Sequence, residues 1–328
     1  MGQPKEYGLS IVRLISMVMI ILCHIMQYEG NAACYYLNVG VGIFLFISGY
    51  IYGNKEILDI KGFYKKRLIR ILPPYYLMLA IIILVNLLKG ETISVKGLVS
   101  SFMTLQWYGH TVPNCGHLWY ISCILFCYMI TPILQWLHRQ NEGKTLYKRV
   151  MQLGVAVVIL QATYSLGGMK QTTTAVLPYI LGYFFAANRI PQQIKKSIRG
   201  GVYFGILILA IALYCIMYAA EAMGYLGVPG IIKEYYKCVM AMAVTVLLAN
   251  WKVRGAFGQR LLDFTDKYSY GVYLTHHIYI LGSLSVMALP SSVVLNGLLA
   301  FVFAILSGVA LILFSEKTTR LLVKRSRL

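Results

Sequence analysis

The chain has 328 residues, of which 59% are hydrophobic and only 12% charged, and its formal net charge is +19. No soluble globular domain can bury that much apolar surface, whereas a polytopic helical membrane protein need not bury it in protein. The charge total alone would suit a nucleic-acid-binding protein; the placement of the charges excludes that reading.

Apolar runs fall near residues 8–28, 36–53, 71–88, 118–137, 150–166, 173–187, 201–220, 236–250, 268–286 and 293–315, ten candidate spans. Those at 173–187 and 236–250 are short for a ~30 Å hydrocarbon core, so their ends are expected to run into the flanking loops. The N-terminus carries Lys5, and the second connection carries Lys55, Lys61, Lys65, Lys66, Arg67 and Arg70. The fourth, sixth and eighth connections carry four basic residues each and the C-terminal tail five, so 24 of the 30 lie on one side. Lys89, Lys96, Lys170, Lys233 and Lys237 lie on the other, and Arg13 lies within a span. This asymmetry over alternating loops predicts an all-α membrane protein of about ten transmembrane helices with both termini cytosolic. It also suits anionic lipid headgroups and anionic cytosolic ligands. No linker, repeat or low-complexity tract interrupts the chain, so residues 1–328 are expected to form a single membrane domain without a separate soluble one.

The first span carries Arg13 and His24 through otherwise apolar sequence. Eleven residues at about 100° each make just over three turns, which puts both side chains on one helix face, ~16 Å apart along the axis. Ionisable residues inside a membrane are costly and usually face a bundle interior or an aqueous cavity. A snorkelling arginine and a hydrogen-bonded structural histidine are the plainer account. The His24 interruption and the spans that follow argue against a cleaved signal peptide. Asn31-Ala32-Ala33-Cys34 has Asn where a lipoprotein cleavage box needs an apolar residue.

In the second span, Gly40, Gly42, Gly49 and Gly53 allow close helix approach, with Ser48 placed to hydrogen-bond across the contact and Tyr50 beside it. The run Lys65-Lys66-Arg67-Leu68-Ile69-Arg70 leads into Pro73-Pro74 and the third span. Arg67 and Arg70 are neighbours at i and i+3. Their two forks suit phosphate groups, although positive-inside anchoring explains the charges equally well. His117, Trp119 and Tyr120 open the fourth span from outside, where an aromatic belt is expected. Tyr273, His276 and His277 lie in the ninth; the adjacent histidines point to different helix faces and make poor metal co-ligands. No metal site is expected. Cys34 and Cys115 fall in outer loops, where an oxidising compartment would allow a disulfide. No acidic residue sits deep in a span, which leaves histidine as the strongest general base and removes the usual orienting carboxylate of a catalytic triad.

Taken in order, these elements resemble the acyltransferase-3 family of bacterial integral-membrane acyltransferases. Arg13 and His24 match its first-span pair with ten residues between them. Gly42 through Tyr50 is similar to its Gly-x-x-x-Phe-x-x-Ser-Gly-Tyr pattern, and Phe63 through Tyr75 to its Arg-x-x-Arg element. His117-Leu118-Trp119 and Tyr273-Leu274-x-His276 supply the later signatures. The resemblance implies O-acyl transfer, usually of acetyl, from cytosolic acyl-CoA to a hydroxyl of a cell-surface carbohydrate or other envelope acceptor. It implies His24 as base or acyl relay, aided by Arg13, and Arg67 and Arg70 on the donor. Ser48, Tyr50, His117, Trp119, Tyr273 and His276 are left as candidates for the acceptor end or cavity. Acyl-CoA is then a co-substrate rather than a bound cofactor, the location is the bacterial cytoplasmic membrane, and a separate acceptor-presenting protein is a further expected partner. A small-solute or polysaccharide transporter on the same fold is the alternative.

Overall fold

The structure, a computed structural model, describes residues 7–32, 34–167, 172–224 and 230–325. Of the basic residues in the charge asymmetry, Lys5, Lys170 and Arg327 lie outside these. Among the described residues there are helices and turns and no strand. The helices are α1 (Gly8–Tyr28), α2 (Cys34–Leu37), α3 (Val39–Gly53), α4 (Ile60–Leu88), α5 (Val95–Phe102), α6 (Trp119–Gln140) and α7 (Leu146–Gly167). They continue with α8 (Thr172–Ala187), α9 (Ile190–Gln193), α10 (Lys196–Ala222), α11 (Gly230–Leu248), α12 (Ala256–Ile280) and α13 (Val293–Arg325). Five helical stretches, Gly8–Tyr28, Ile60–Leu88, Gly116–Gln140, Lys196–Ala220 and Val293–Leu321, are long and apolar enough to cross a membrane, and Val39–Gly53, Ala175–Ala187 and Tyr235–Leu248 are shorter apolar helices.

Several boundaries differ from the sequence expectation, most of all the starts of α4 and α12. α4 starts eleven residues before the apolar run at 71, because Asp59 caps it by accepting the Gly62 N–H at 2.9 Å. The basic run therefore belongs to the helix itself, which continues through Pro73 and Pro74. α12 likewise starts at Ala256 within charged sequence. It stops at Ile280, where the His277 carbonyl accepts both the Leu281 and Gly282 N–H groups.

Contacts group the chain into two compact units. One contains Met1–Ser16, Val39–Leu58 and Phe126–Leu262. Its centre is the contact of α3 with α8, flanked by α11. A Cβ added at Gly49 would lie 2.0 Å from the Tyr179 carbonyl oxygen, and one at Gly182 would lie 2.2 Å from that of Phe46. Backbone thus meets backbone, as small residues permit between membrane helices. Gly53 makes the same approach to Tyr183. Ser48 does not bond across this contact; its Oγ donates to the Phe44 carbonyl one turn back, at 2.9 Å.

The second unit contains Met17–Asn38, Asp59–Leu125 and Asp263–Leu328. α4 packs on α13. α12 crosses α13 where Gly271 meets Gly308: a Cβ on Gly271 would be 2.2 Å from the Gly308 carbonyl oxygen. One turn on, Thr275 Oγ1 donates to the Ala304 carbonyl at 2.9 Å. A disulfide between Cys34 and Cys115 does not form. All seven cysteines are free thiols; Cys115 is fully buried, and the Cys34 carbonyl accepts from Cys23 Sγ at 3.2 Å.

Candidate active site

Four histidines converge in the second unit. His24 comes from α1, His117 from the 3-10 turn Gly116–Leu118, and His276 and His277 from the last turns of α12. The His24 ring centroid lies 5.1 Å from that of His276 and 5.3 Å from that of His277. His117 lies 5.5 Å from His276 and stacks on His277 at 4.4 Å. His276 is fully buried and His117 is 5% exposed, so His117 sits inside the cluster and not in an exposed belt.

Each ring is held through one nitrogen. His24 Nδ1 lies 3.0 Å from Gln27 Oε1, an oxygen that can only accept, so Nδ1 carries the hydrogen and Nε2 presents the lone pair. By the same argument His276 Nδ1 donates to the Tyr273 carbonyl at 2.6 Å, and His117 Nε2 donates to the Leu274 carbonyl at 3.2 Å. His277 bonds to the main chain of Asn114. The opposite nitrogens, His117 Nδ1, His276 Nε2 and His277 Nδ1, are buried without a hydrogen-bond partner among the described residues. Unsatisfied buried polar atoms are rare because each forfeits about 1–3 kcal/mol. Each of these nitrogens can accept a hydrogen bond from a donor. Among the described residues no group of three histidine, cysteine or carboxylate side chains is arranged to hold a metal ion.

The acyltransferase domain family matches residues 6–316. The chain belongs to the acyltransferase-3 family. As a member it is a multi-pass membrane protein, in keeping with its long apolar helices. It is 23% identical over 327 residues to a Bacillus subtilis (strain 168) protein named "Putative peptidoglycan O-acetyltransferase YrhL". That match covers 87% of this chain, and the chain spans about half the length of the relative. No solved structure matches it.

The structure of this acyltransferase-3 protein disposes the other candidate residues unequally. Tyr273 belongs with the cluster: it is nearly buried, and its hydroxyl donates to the His117 carbonyl. Trp119, half-buried, opens α6 directly after the His117 turn. Arg13, Ser48 and Tyr50 lie in the first unit, with Arg13 on the first half of α1. Arg67 and Arg70 share one stretch of α4 in the second unit. Arg70, with Lys66, Lys267 and Arg320, lines a cleft of about 500 Å³ that also holds Glu316. These basic residues come from the second and eighth connections and the C-terminal tail, all on the side that the charge asymmetry makes cytosolic.

Sequence reasoning missed three parts of the site. Gln27 is one, although its i+3 position after His24 is a visible signal. His277 is another. The third is the polar clasp behind the His117 turn: Asn86 Nδ2 donates to the Pro113 carbonyl at 2.8 Å, and Asn86 Oδ1 accepts from Asn114 Nδ2 at 2.9 Å and Ser283 Oγ at 2.8 Å. Asn114 sits at φ +63°, a left-handed conformation that Asn tolerates. Asn86 is fully buried and ties α4 to both segments that carry cluster histidines. Asn86→Leu should lower kcat by roughly tenfold or more, from about 1–3 kcal/mol of unmade hydrogen bonding. KM for the donor should stay near wild type, as initial-rate measurements on folded protein would show.

Proposed function

We propose that the protein transfers an acyl group, acetyl in the first instance, from acyl-CoA to a hydroxyl of a cell-envelope carbohydrate. The observation that carries this reading is the histidine cluster with its unpartnered lone-pair nitrogens. A sugar is a dense array of hydroxyl donors, the complement those nitrogens lack. The Bacillus subtilis relative's name points to peptidoglycan as the class of acceptor to try first.

His24 Nε2 is the general base. It takes the proton of the acceptor hydroxyl as the hydroxyl oxygen attacks the thioester carbonyl carbon. The carbon–sulfur bond then breaks, and the imidazolium returns the proton to the departing CoA sulfur, leaving an ester and a free thiol. Gln27 fixes the tautomer, the role a carboxylate fills in serine hydrolases. His117, His276 and His277 hold further hydroxyls and keep the attacking one in line. His24 lies ~24 Å along α1 from Gly8, so the donor's arm must enter deep along that helix. Arg13 is placed to meet it, and Arg67 and Arg70 are assigned to donor phosphates.

The test is acetyl-CoA consumption by the purified protein in nanodiscs, with and without soluble peptidoglycan fragments. Free CoA and an acetylated glycan in equal amounts are expected. A transporter on this fold would move solute across liposomes without releasing CoA, and that result would overturn the enzymatic reading. In the same assay, Arg67→Ala/Arg70→Ala should raise KM for acetyl-CoA by about tenfold or more, since each lost charge-assisted bond is worth about 1.5–3 kcal/mol.

A further inference from the structure

A second, larger cleft lies in the first unit, lined by none of the residues assigned a role above. Its volume is about 1040 Å³, at the upper end of the ~300–1,000 Å³ usual for small-molecule sites. Its walls come from Tyr7, ahead of α1, from the first turns of α10, and from the segment joining α11 to α12. In the charge asymmetry these are the N-terminus and the sixth and eighth connections, all assigned to the cytosolic side. Residues that the sequence separates by up to about 250 positions thus meet on the face where water-soluble anions arrive.

The lining has a consistent chemistry. Lys196, Arg199, Lys252 and Arg254 contribute four cations, and among the described residues no Asp or Glu lines the cleft. The Arg199 guanidinium is held in place, its Nη2 and Nε bonding to the Ile194 carbonyl at 3.0 and 3.3 Å. The cleft at Arg70, by contrast, is half the size, and its Glu316 lies 3.6 Å from Arg320. Positive-inside anchoring explains cations in connections, but it does not gather four of them around one concavity. Aromatic rings share the same walls: Tyr203 is buried at 2% exposure, while Trp251 stands 60% exposed at the mouth. The Asn250 and Gln259 amides complete the polar lining, and Gln259 is steadied by donating to the Val253 carbonyl at 3.0 Å.

We propose that this cleft binds a nucleoside polyphosphate, with phosphates on the Lys196, Arg199, Lys252 and Arg254 cations and the base against Trp251. Cations alone would suit any phosphate. The adjoining aromatic platform and paired amides are what a flat heteroaromatic base requires. Two sources share that chemistry: the nucleotide end of CoA and a free cytosolic nucleotide. The CoA source rests on the transfer reaction proposed above; the free-nucleotide source does not.

The test is calorimetric titration of the full chain, in phosphatidylcholine nanodiscs, with adenosine 3′,5′-bisphosphate, ADP, CoA and inorganic pyrophosphate. The proposal expects wild type to bind the nucleotides more tightly than pyrophosphate. Lys252→Ala/Arg254→Ala should weaken every nucleotide by about tenfold or more. Trp251→Leu should weaken the nucleotides by roughly tenfold, from the loss of stacking, and leave pyrophosphate unchanged. These residues are exposed, and an unchanged elution profile and melting temperature would show that the variants fold. CoA binding that follows the two variants while ADP competes with it identifies the donor's own nucleotide. ADP binding that leaves the KM for acetyl-CoA unchanged identifies a free nucleotide. No nucleotide binding by wild type overturns the proposal, as does undiminished binding by both variants. Pyrophosphate bound as tightly as the nucleotides would make this a bare phosphate site. Displacement of nucleotide in phosphatidylglycerol nanodiscs, abolished by Lys252→Ala/Arg254→Ala, would make it a lipid-headgroup site. Loss of CoA release in His24→Ala beside unaltered nucleotide binding by Lys252→Ala/Arg254→Ala would overturn the cleft assignment alone.

Discussion

Replacing His24 with alanine should lower acyl transfer by about 10²–10⁴-fold, the usual worth of a positioned general base, while KM for acetyl-CoA stays near wild type. The expectation rests on position. His24 contacts both His276 and His277, and its Nδ1 is committed to Gln27. The Tyr273 hydroxyl is already donated to the His117 carbonyl, and the nitrogens of His117, His276 and His277 that lack partners among the described residues are buried, whereas His24 is not fully so. Gln27→Leu should fall between wild type and His24→Ala. The base would remain, but its tautomer would no longer be fixed, and the loss should appear in kcat rather than in KM. Initial rates of CoA release in nanodiscs, with thermal melts to certify folding, would decide the matter. A His24→Ala protein that folds and retains the wild-type rate would remove His24 from the chemistry.

The second large effect concerns the fold. Gly49→Ala and Gly182→Ala should each destabilise the first unit, by about 1–3 kcal/mol on the scale of overpacked cores. The added methyl would sit 2.0–2.2 Å from a main-chain carbonyl oxygen, and the main chain cannot swing aside as a long side chain can. α3 and α8 would have to separate, loosening the contact that centres the unit. The double variant should fail to accumulate as folded protein. Gly205→Ala is the control: it lies on α10, and a Cβ there meets nothing within 4 Å. A fluorescence-detected size-exclusion melt of the four proteins reads the difference. Equal melting temperatures for Gly49→Ala and Gly205→Ala would contradict the packing account.

What the sequence discloses here depends on how local each signal is. α1 is readable to the residue, because its apolar run, broken only by Arg13 and His24, bounds itself. α4 is not: its first turns carry Lys61, Lys65, Lys66, Arg67 and Arg70, so hydropathy assigns them to a loop, and Pro73-Pro74 imitates a boundary. Asp59 with Gly62 three residues on was the available cap signal. The close approach of α3 is legible in its glycines, but which of them press on a neighbour is not: Gly49 and Gly53 face the α8 main chain closely, and Gly42 does not. His277 shows the limit at the site. Adjacent helical residues point ~100° apart, which makes two neighbouring histidines look like members of different faces. At the end of α12 the cluster occupies the angle between those faces, so both rings enter it. His117 is a tertiary fact altogether, delivered by a short turn that Asn86 and Asn114 secure.

The crossing of α12 and α13 also constrains turnover. Gly271 is indexed against Gly308 main chain to main chain, and Thr275 latches onto Ala304 within the same turn as His276. Sliding α12 by a residue, or rolling it, would drive a carbonyl into a Cα and break that latch. This half of the site therefore behaves as an anvil. In the proposed reaction, the acyl carrier and its acceptor would do the travelling, with His276 and His277 as the fixed frame against which they meet.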